Sequence, residues 1–313
     1  MEVESGKVES NGIELCYEAR GPADGEPLLF VMGLSAQMVF WPDSLLDRMA
    51  GRGFRVIRFD NRDVGESTRI NGGKLPGPGA LITRAALGLP IRAPYTLHDM
   101  VADTTGLLDA LDIESAHWVG ASMGGMISQL AAATRPERVR SLTSIMSSTN
   151  SRWLPPPRPS ALKALMAPRV RIRDEEDFVL FGRQMVRTLG GPMLQSETLT
   201  DEIFRRSWRR GIYPRGIRQQ FMAVLATGNI GGHLRQIRCP ATVIHGTHDP
   251  LIRPAGGRAS ARRIPGARLS MIRRMGHDLP EEALPRIADL ITETAHHASG
   301  RPEQAPDTMA TAG

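Results

Sequence analysis

Short apolar runs alternate with amphipathic stretches along most of this chain, and that alternation is the strongest constraint on how it can fold. Lys7 to Ser10 and Ile13 to Tyr17 flank Asn11-Gly12, a dipeptide suited to a two-residue hairpin because both turn positions need positive φ. Strand Leu28 to Met32, helix Ser44 to Ala50 and strand Arg55 to Phe59 follow, with Gly51 and Gly53 closing the helix. Beyond a Gly/Pro-rich stretch from Asn71 to Pro94, Thr96-Leu97-His98-Asp99 reads as a capping box opening a helix to about Leu111. Strand His117 to Val119, helix Met123 to Thr134 and strand Val139 to Ile145 continue the series. Strands separated by helices imply crossover connections, and so a mostly parallel central sheet flanked by helices. The expected class is α/β.

The alternation stops at Asn150. A Pro-rich entry (Pro155, Pro156, Pro157, Pro159) leads into helical patterns such as Phe178, Phe181, Met185 and Leu189, spaced by three and four. We read residues 150–232 as an inserted helical cap that divides a core into 1–149 and 233–297. The second part holds strand Ala241 to Ile244, helix Pro254 to Ile264, strand Arg268 to Ile272 and a closing helix from Glu282 to His296. Residues 298–313 are small and polar and read as a flexible tail.

Composition excludes several classes. The apolar run Leu28 to Leu34 falls far short of the roughly 20 residues that span a bilayer, so no membrane association is expected. The acidic opening Met1-Glu2-Val3-Glu4-Ser5 lacks the basic and apolar regions of a secretory signal, which points to the cytoplasm. Cys16 and Cys239 are too few for a disulfide framework and read as buried free thiols. The net charge of +6 rests almost wholly on arginine, since lysine stands only at Lys7, Lys74 and Lys163. The densest arginines (Arg169, Arg171, Arg173; Arg205, Arg206, Arg209, Arg210) lie in one helical stretch without interleaved aromatics. A solvated helical face is expected there, and no nucleic-acid partner.

The chemistry concentrates at three places. Gly120-Ala121-Ser122-Met123-Gly124 fits G-x-S-x-G where a strand gives way to a helix. Such a bend strains the serine backbone and tolerates only small flanking residues, which Gly120, Gly124 and Gly125 supply. A helix N-cap is the plainer role for the same serine. A hydroxyl is a poor nucleophile at neutral pH, so Ser122 would need a general base, and that base an orienting carboxylate. Of eight histidines, His277 in Met275-Gly276-His277-Asp278 follows the last strand and precedes the last helix, where strand ends gather. Asp249 in His245-Gly246-Thr247-His248-Asp249-Pro250 follows the penultimate strand; its plainer role is to start a turn before Pro250. The strand before the cap ends in Ser147-Ser148-Thr149-Asn150 and offers no carboxylate, and Asp278 sits too close to the base to reach its far nitrogen. His245 and His248 have the spacing of a metal pair but no third ligand nearby, so no metal is expected.

In the order Ser122, Asp249, His277 the chain resembles the α/β-hydrolases over approximately residues 10 to 297. Trp41-Pro42-Asp43 and Ile57-Arg58-Phe59-Asp60-Asn61-Arg62-Asp63-Val64-Gly65-Glu66-Ser67 are similar to the serine-esterase branch that contains aclacinomycin methylesterases. In that stretch Asp60, Arg62 and Gly65 read as residues that tie down a loop. The resemblance implies an α/β-hydrolase fold and cleavage of a small-molecule carboxylic ester through an acyl-enzyme, without cofactor. It also implies an oxyanion hole from the N–H groups of Met123 and Leu34, although Met32 stands where the family often has histidine. Met166, Phe178, Met185, Trp208, Phe221 and Met222 are candidate pocket lining, each with core packing as its plainer role. Carbon–carbon bond hydrolysis and a cofactor-free perhydrolase would use the same three residues, and a non-catalytic small-molecule receptor could share the fold. Oligomeric state leaves no trace in the sequence.

Overall fold

The computed structural model describes residues 3–71, 75–166, 172–193 and 196–300. The tail beyond residue 300, together with Arg169 and Arg171, lies outside the described residues, as does the side chain of Met166. The strands are β1 (Val3–Ser10), β2 (Ile13–Arg20), β3 (Glu26–Val31), β4 (Phe54–Phe59), β5 (Ala116–Ala121), β6 (Val139–Ile145), β7 (Ala241–Gly246) and β8 (Arg268–Ile272). They form one sheet in the order β1-β2-β4-β3-β5-β6-β7-β8. β1 and β2 pair antiparallel through the Asn11-Gly12 turn, whose φ values of 49° and 75° are the positive ones such a turn demands. β2 is antiparallel to β4, and the remaining pairs are parallel.

From β3 the chain passes through α1 (Asp43–Gly51) to β4 on one side. It then returns through α2 (Pro78–Ala86) and α3 (Leu97–Ala110) to β5 on the other side of β3. Strand order therefore reverses between β3 and β5, the kind of switch point beside which ligands usually bind in an open α/β sheet. α4 (Met123–Thr134) follows β5 and is buried from Met123 through Ala133, in keeping with its lack of a polar face. Among the described residues, four helices stand between β6 and β7: α5 (Pro159–Met166), α6 (Glu175–Leu189), α7 (Glu197–Arg209) and α8 (Pro214–Thr227). α9 (Ala255–Arg263) joins β7 to β8, and α10 (Leu284–Ser299) closes the fold.

The period of two along the strands divides the core. Leu29 and Val31 face one cluster with Leu107, Trp118 and Ile127, whereas Leu28 and Phe30 face the other with Trp41, Leu45 and Ile291. Phe30 and Trp41 meet edge to face at 4.8 Å. The Thr96 box forms as the sequence predicts, with the Thr96 N–H donating to Asp99 Oδ2 at 2.7 Å.

Three features differ from the sequence expectations. α2 occupies part of the Gly/Pro-rich stretch; Pro78 opens it at a position where its missing N–H costs nothing. Cys239 is half-buried, while Cys16 is buried, and both are free thiols. The arginines of α7 do not all face water. Arg205 and Arg209 pair with Glu175 on α6, but Arg206 reaches Asp43 at 2.7 Å and Arg210 reaches the fully buried Asp60 at 2.5 Å. These two charges, with an edge-to-face contact of Phe40 and Phe204 at 5.2 Å, seat α7 on the loops that follow β3 and β4.

Candidate active site

Ser122 stands between β5 and α4 with φ 55° and ψ −117°, a conformation that an L-residue holds only when its surroundings impose it. Those surroundings require glycine. A Cβ on Gly120 would lie 2.3 Å from the Gly124 carbonyl oxygen, and one on Gly124 would lie 2.0 Å from that of Val31. The Ser122 backbone is held at both ends, its N–H donating to Ile145 O at 2.9 Å and its carbonyl accepting from Ser147 Oγ at 2.7 Å. The side chain makes no N-cap bond to α4. Instead Ser122 Oγ lies 3.0 Å from His277 Nε2, so the plainer capping role is not the one its geometry serves.

His277 follows β8 on a loop that hangs from the end of α6, since the His277 N–H donates to Leu189 O at 2.8 Å. Its Nδ1 lies 2.8 Å from Asp249 Oδ2. The other oxygen, Oδ1, accepts the N–H groups of Leu251 and Ile252, each at 2.9 Å, which closes the turn after β7 and aims the carboxylate at the ring. Asp249 is 1% exposed. Burial alone would push its carboxyl up, but the adjacent His277 and the hydrogen bond from His245 outweigh it and hold the group down at about 2. An ionised carboxylate only accepts, so Nδ1 carries the proton and Nε2 keeps a lone pair toward Ser122.

The neighbouring polar residues take other positions. Asp278 turns its Oδ1 to the Gly276 N–H at 3.0 Å, and burial pushes its carboxyl up to about 6. His245 is buried beneath Asp249, with Nε2 2.8 Å from Ile252 O, while His248 meets Thr247 Oγ1 at 2.9 Å. Among the described residues no group of three or more His, Cys, Asp or Glu is arranged to hold a metal ion.

Leu34 and Met123 lie on the two segments that touch at Ser122: a Cβ on Gly33 would be 3.1 Å from Ser122 Cβ. In the loop after β3 the Ser35 N–H is taken by Gln220 Oε1 at 2.8 Å and the Ala36 N–H by Gly33 O at 3.4 Å. No acceptor among the described residues takes the N–H of Leu34 or of Met123. Met123 opens α4, where backbone N–H groups have no intrahelical partner and the helix dipole favours negative charge.

The loop after β4 explains the Ile57-to-Ser67 signature in structural terms. Asp60 accepts the N–H groups of Met38 at 2.7 Å and Glu66 at 3.0 Å, and a Cβ on Gly65 would stand 2.0 Å from its carboxylate. Arg62 forks onto Asp103 at 2.6 and 2.5 Å, and Asp63 receives Tyr95 Oη at 2.5 Å and Gln219 Nε2 at 3.0 Å.

The sequence pattern of a family described as "alpha/beta hydrolase fold" matches residues 26–284. The chain belongs to that family. Rhodomycin D methylesterase from Streptomyces peucetius is 30% identical over 294 residues, covering 87% of this chain and 92% of that protein. Among solved structures, a putative aryl esterase from Burkholderia cenocepacia superposes with a TM-score of 0.72 at 17% identity, covering 95% of this chain and 100% of that one. A meta-cleavage product hydrolase from Pseudomonas fluorescens gives 0.69 at 19% identity, covering 94% and 98%. At these identities the two structures speak for the fold alone. In this α/β-hydrolase the serine, acid and histidine follow β5, β7 and β8, all at one edge of the parallel sheet.

Of the apolar residues considered as pocket lining, Phe178 packs against Phe204 and Trp208 between α6 and α7, and Met222 is buried. Met185 and Phe221 are half-buried. Sequence reasoning missed Arg206, Arg210, Gln219 and Gln220, whose core partners lie 149 or more residues away in the chain, beyond any local spacing.

Proposed function

We propose that this α/β-hydrolase cleaves a carboxylic ester by a two-step acyl-enzyme mechanism, with Ser122 as nucleophile, His277 as base and Asp249 as its orienting acid. One observation carries the reading: His277 bridges Ser122 Oγ at 3.0 Å and the Asp249 carboxylate at 2.8 Å. As Oγ attacks the ester carbonyl its proton passes to Nε2, and the imidazolium is stabilised by the Asp249 carboxylate across Nδ1. The negative oxygen of the tetrahedral intermediate is met by the N–H groups of Leu34 and Met123, each worth about 100- to 1000-fold in turnover. Collapse breaks the C–O bond, and His277 returns the proton to the departing alcohol. Water, deprotonated by His277, then attacks acyl-Ser122; the acid leaves and the serine regains its proton.

The likeness to a methylesterase makes a methyl ester the first substrate class to test, with methanol as the leaving alcohol. Helices α5 to α8, within residues 150–232, act as a cap over the loops that follow β3 and β4 and shape the acyl side of the site. Among the described residues no helix is long and apolar enough to cross a membrane. Arg205, Arg206, Arg209 and Arg210 are already paired with carboxylates of the same chain, which favours a small-molecule partner over nucleic acid.

A panel of p-nitrophenyl esters graded by acyl length, run beside carboxylic methyl esters, tests the reading. Wild type should turn over members of both sets, and Ser122→Ala should lose on the order of 10⁴- to 10⁶-fold in kcat with its circular dichroism unchanged. Turnover retained by Ser122→Ala would overturn the assignment.

A further inference from the structure

The peptide that joins Gly33 to Leu34 is bracketed by two buried side-chain amides from distant parts of the chain. On the N-terminal side, Asn61 Nδ2 donates to Met32 O at 3.0 Å. On the C-terminal side, Gln220 Oε1 accepts the Ser35 N–H at 2.8 Å. The other end of the Gln220 amide donates to Arg62 O at 2.7 Å, next door to Asn61. Gln220 is fully buried. Its orientation is unambiguous, because an N–H donor requires the amide oxygen and a carbonyl acceptor requires the amide nitrogen.

Between these two clamps the Leu34 N–H is free of any acceptor among the described residues. Ser35 has φ 66°, a left-handed conformation that a non-glycine residue keeps only under constraint. The constraint is the Gln220 bond, which fixes the Leu34–Ser35 peptide plane and thereby limits the orientation of the plane before it. Gln220 sits on α8, whereas Leu34 follows β3. A helix inserted between β6 and β7 thus reaches the loop that borders the nucleophile.

We infer that Gln220 is a positioning residue of the oxyanion hole: α8 aims the Leu34 N–H through Gln220, so that seating of α8 on the core assembles half of the hole. The inference rests on the ester-hydrolase reading above and adds a role that none of the reacting groups performs. Preorganised donors act on the transition state more than on bound substrate, so disorder in this loop should lower kcat rather than raise KM.

The test uses the full chain and two variants. Gln220→Met keeps the apolar volume and removes both bonds. Gln220→Glu keeps the acceptor for Ser35 and, when protonated, the donor for Arg62 O; burial raises its pKa and so favours that form. Steady-state kinetics on a p-nitrophenyl ester from pH 5.5 to 8.5 are paired with inhibition by an aryl boronate, a mimic of the tetrahedral intermediate. Gln220→Met should lose about 10- to 100-fold in kcat with KM within about threefold. Its boronate affinity should fall in parallel, and the ratio to wild type should stay low at every pH. Gln220→Glu should approach wild type at the acid end and diverge from it as the carboxyl ionises. If a folded Gln220→Met matches wild type in kcat and boronate affinity within about twofold, the inference fails while the hydrolase reading stands. If Gln220→Met does not fold, a third variant serves: a folded Gln220→Ala whose kcat and boronate affinity stay within about twofold of wild type overturns it equally. A wild type inert to both ester and boronate would overturn the parent reading and this inference together.

Discussion

Arg210 and Asp60, 150 residues apart in the chain, meet at 2.5 Å with the carboxylate fully buried. The same carboxylate accepts the Met38 N–H at 2.7 Å, on the short helical turn that the loop after β3 leads into. Burial pushes the Asp60 carboxyl up and Arg210 pulls it down. Removing the guanidinium leaves a buried charge without its counter-ion.

Arg210→Met should therefore cost about 3–5 kcal/mol at pH 7.5, read from urea unfolding. The sign with pH follows from the raised folded pKa. The penalty is absent where the carboxyl is protonated in both proteins and complete only above the variant's own folded pKa, which lies higher still without Arg210, so the variant should recover much of its loss toward pH 4. Arg210→Met combined with Asp60→Asn should be more stable at pH 7.5 than Arg210→Met alone.

Asp249→Asn should keep the fold and lose about 10⁴-fold in kcat, because the amide can donate to His277 Nδ1 and present the ring in the wrong tautomer. The carboxyl of Asp249 is held at about 2, below its ordinary value. Its contribution to stability is present above pH 4 and lost as pH falls from about 4 to 2, on the order of 2 kcal/mol. Acid unfolding of wild type should show that loss, and Asp249→Asn should lack it.

Asp278 shows the opposite sign. Its carboxyl is raised to about 6 by burial, so the folded state resists ionisation and stability falls as pH rises from about 4 to 6. Asp278→Asn retains an oxygen for the Gly276 N–H and removes that charge. It should gain on the order of 1–3 kcal/mol at pH 7.5 and nothing at pH 4 in thermal unfolding. Equal gains at both pH values would refute the electrostatic origin.

Much of this arrangement is legible in the sequence because its signals are local. The Asn11-Gly12 turn, the Thr96 box and the period-two strands each follow from residues within a few positions of one another. The three side chains proposed to react are legible one level up, since each follows a parallel strand and all such loops leave the same edge of the sheet. α2 was hidden because Gly77, Pro78 and Gly79 read as loop, although Pro at the first helical position is itself a start signal. Arg206, Arg210 and Gln220 were hidden for a different reason. An arginine or glutamine on an amphipathic helix looks solvated until the fold brings it to Asp43, Asp60 or Ser35, and no local periodicity encodes those meetings.

The central claim is that His277 activates Ser122 and no other residue. The most direct measurement is labelling with a fluorophosphonate at pH 7.5, followed by peptide mapping of wild type and His277→Ala. A single adduct is expected on Ser122 in wild type, formed at least about 100-fold more slowly in His277→Ala. An adduct on a different residue, or a Ser122 adduct formed at the same rate without His277, would contradict it.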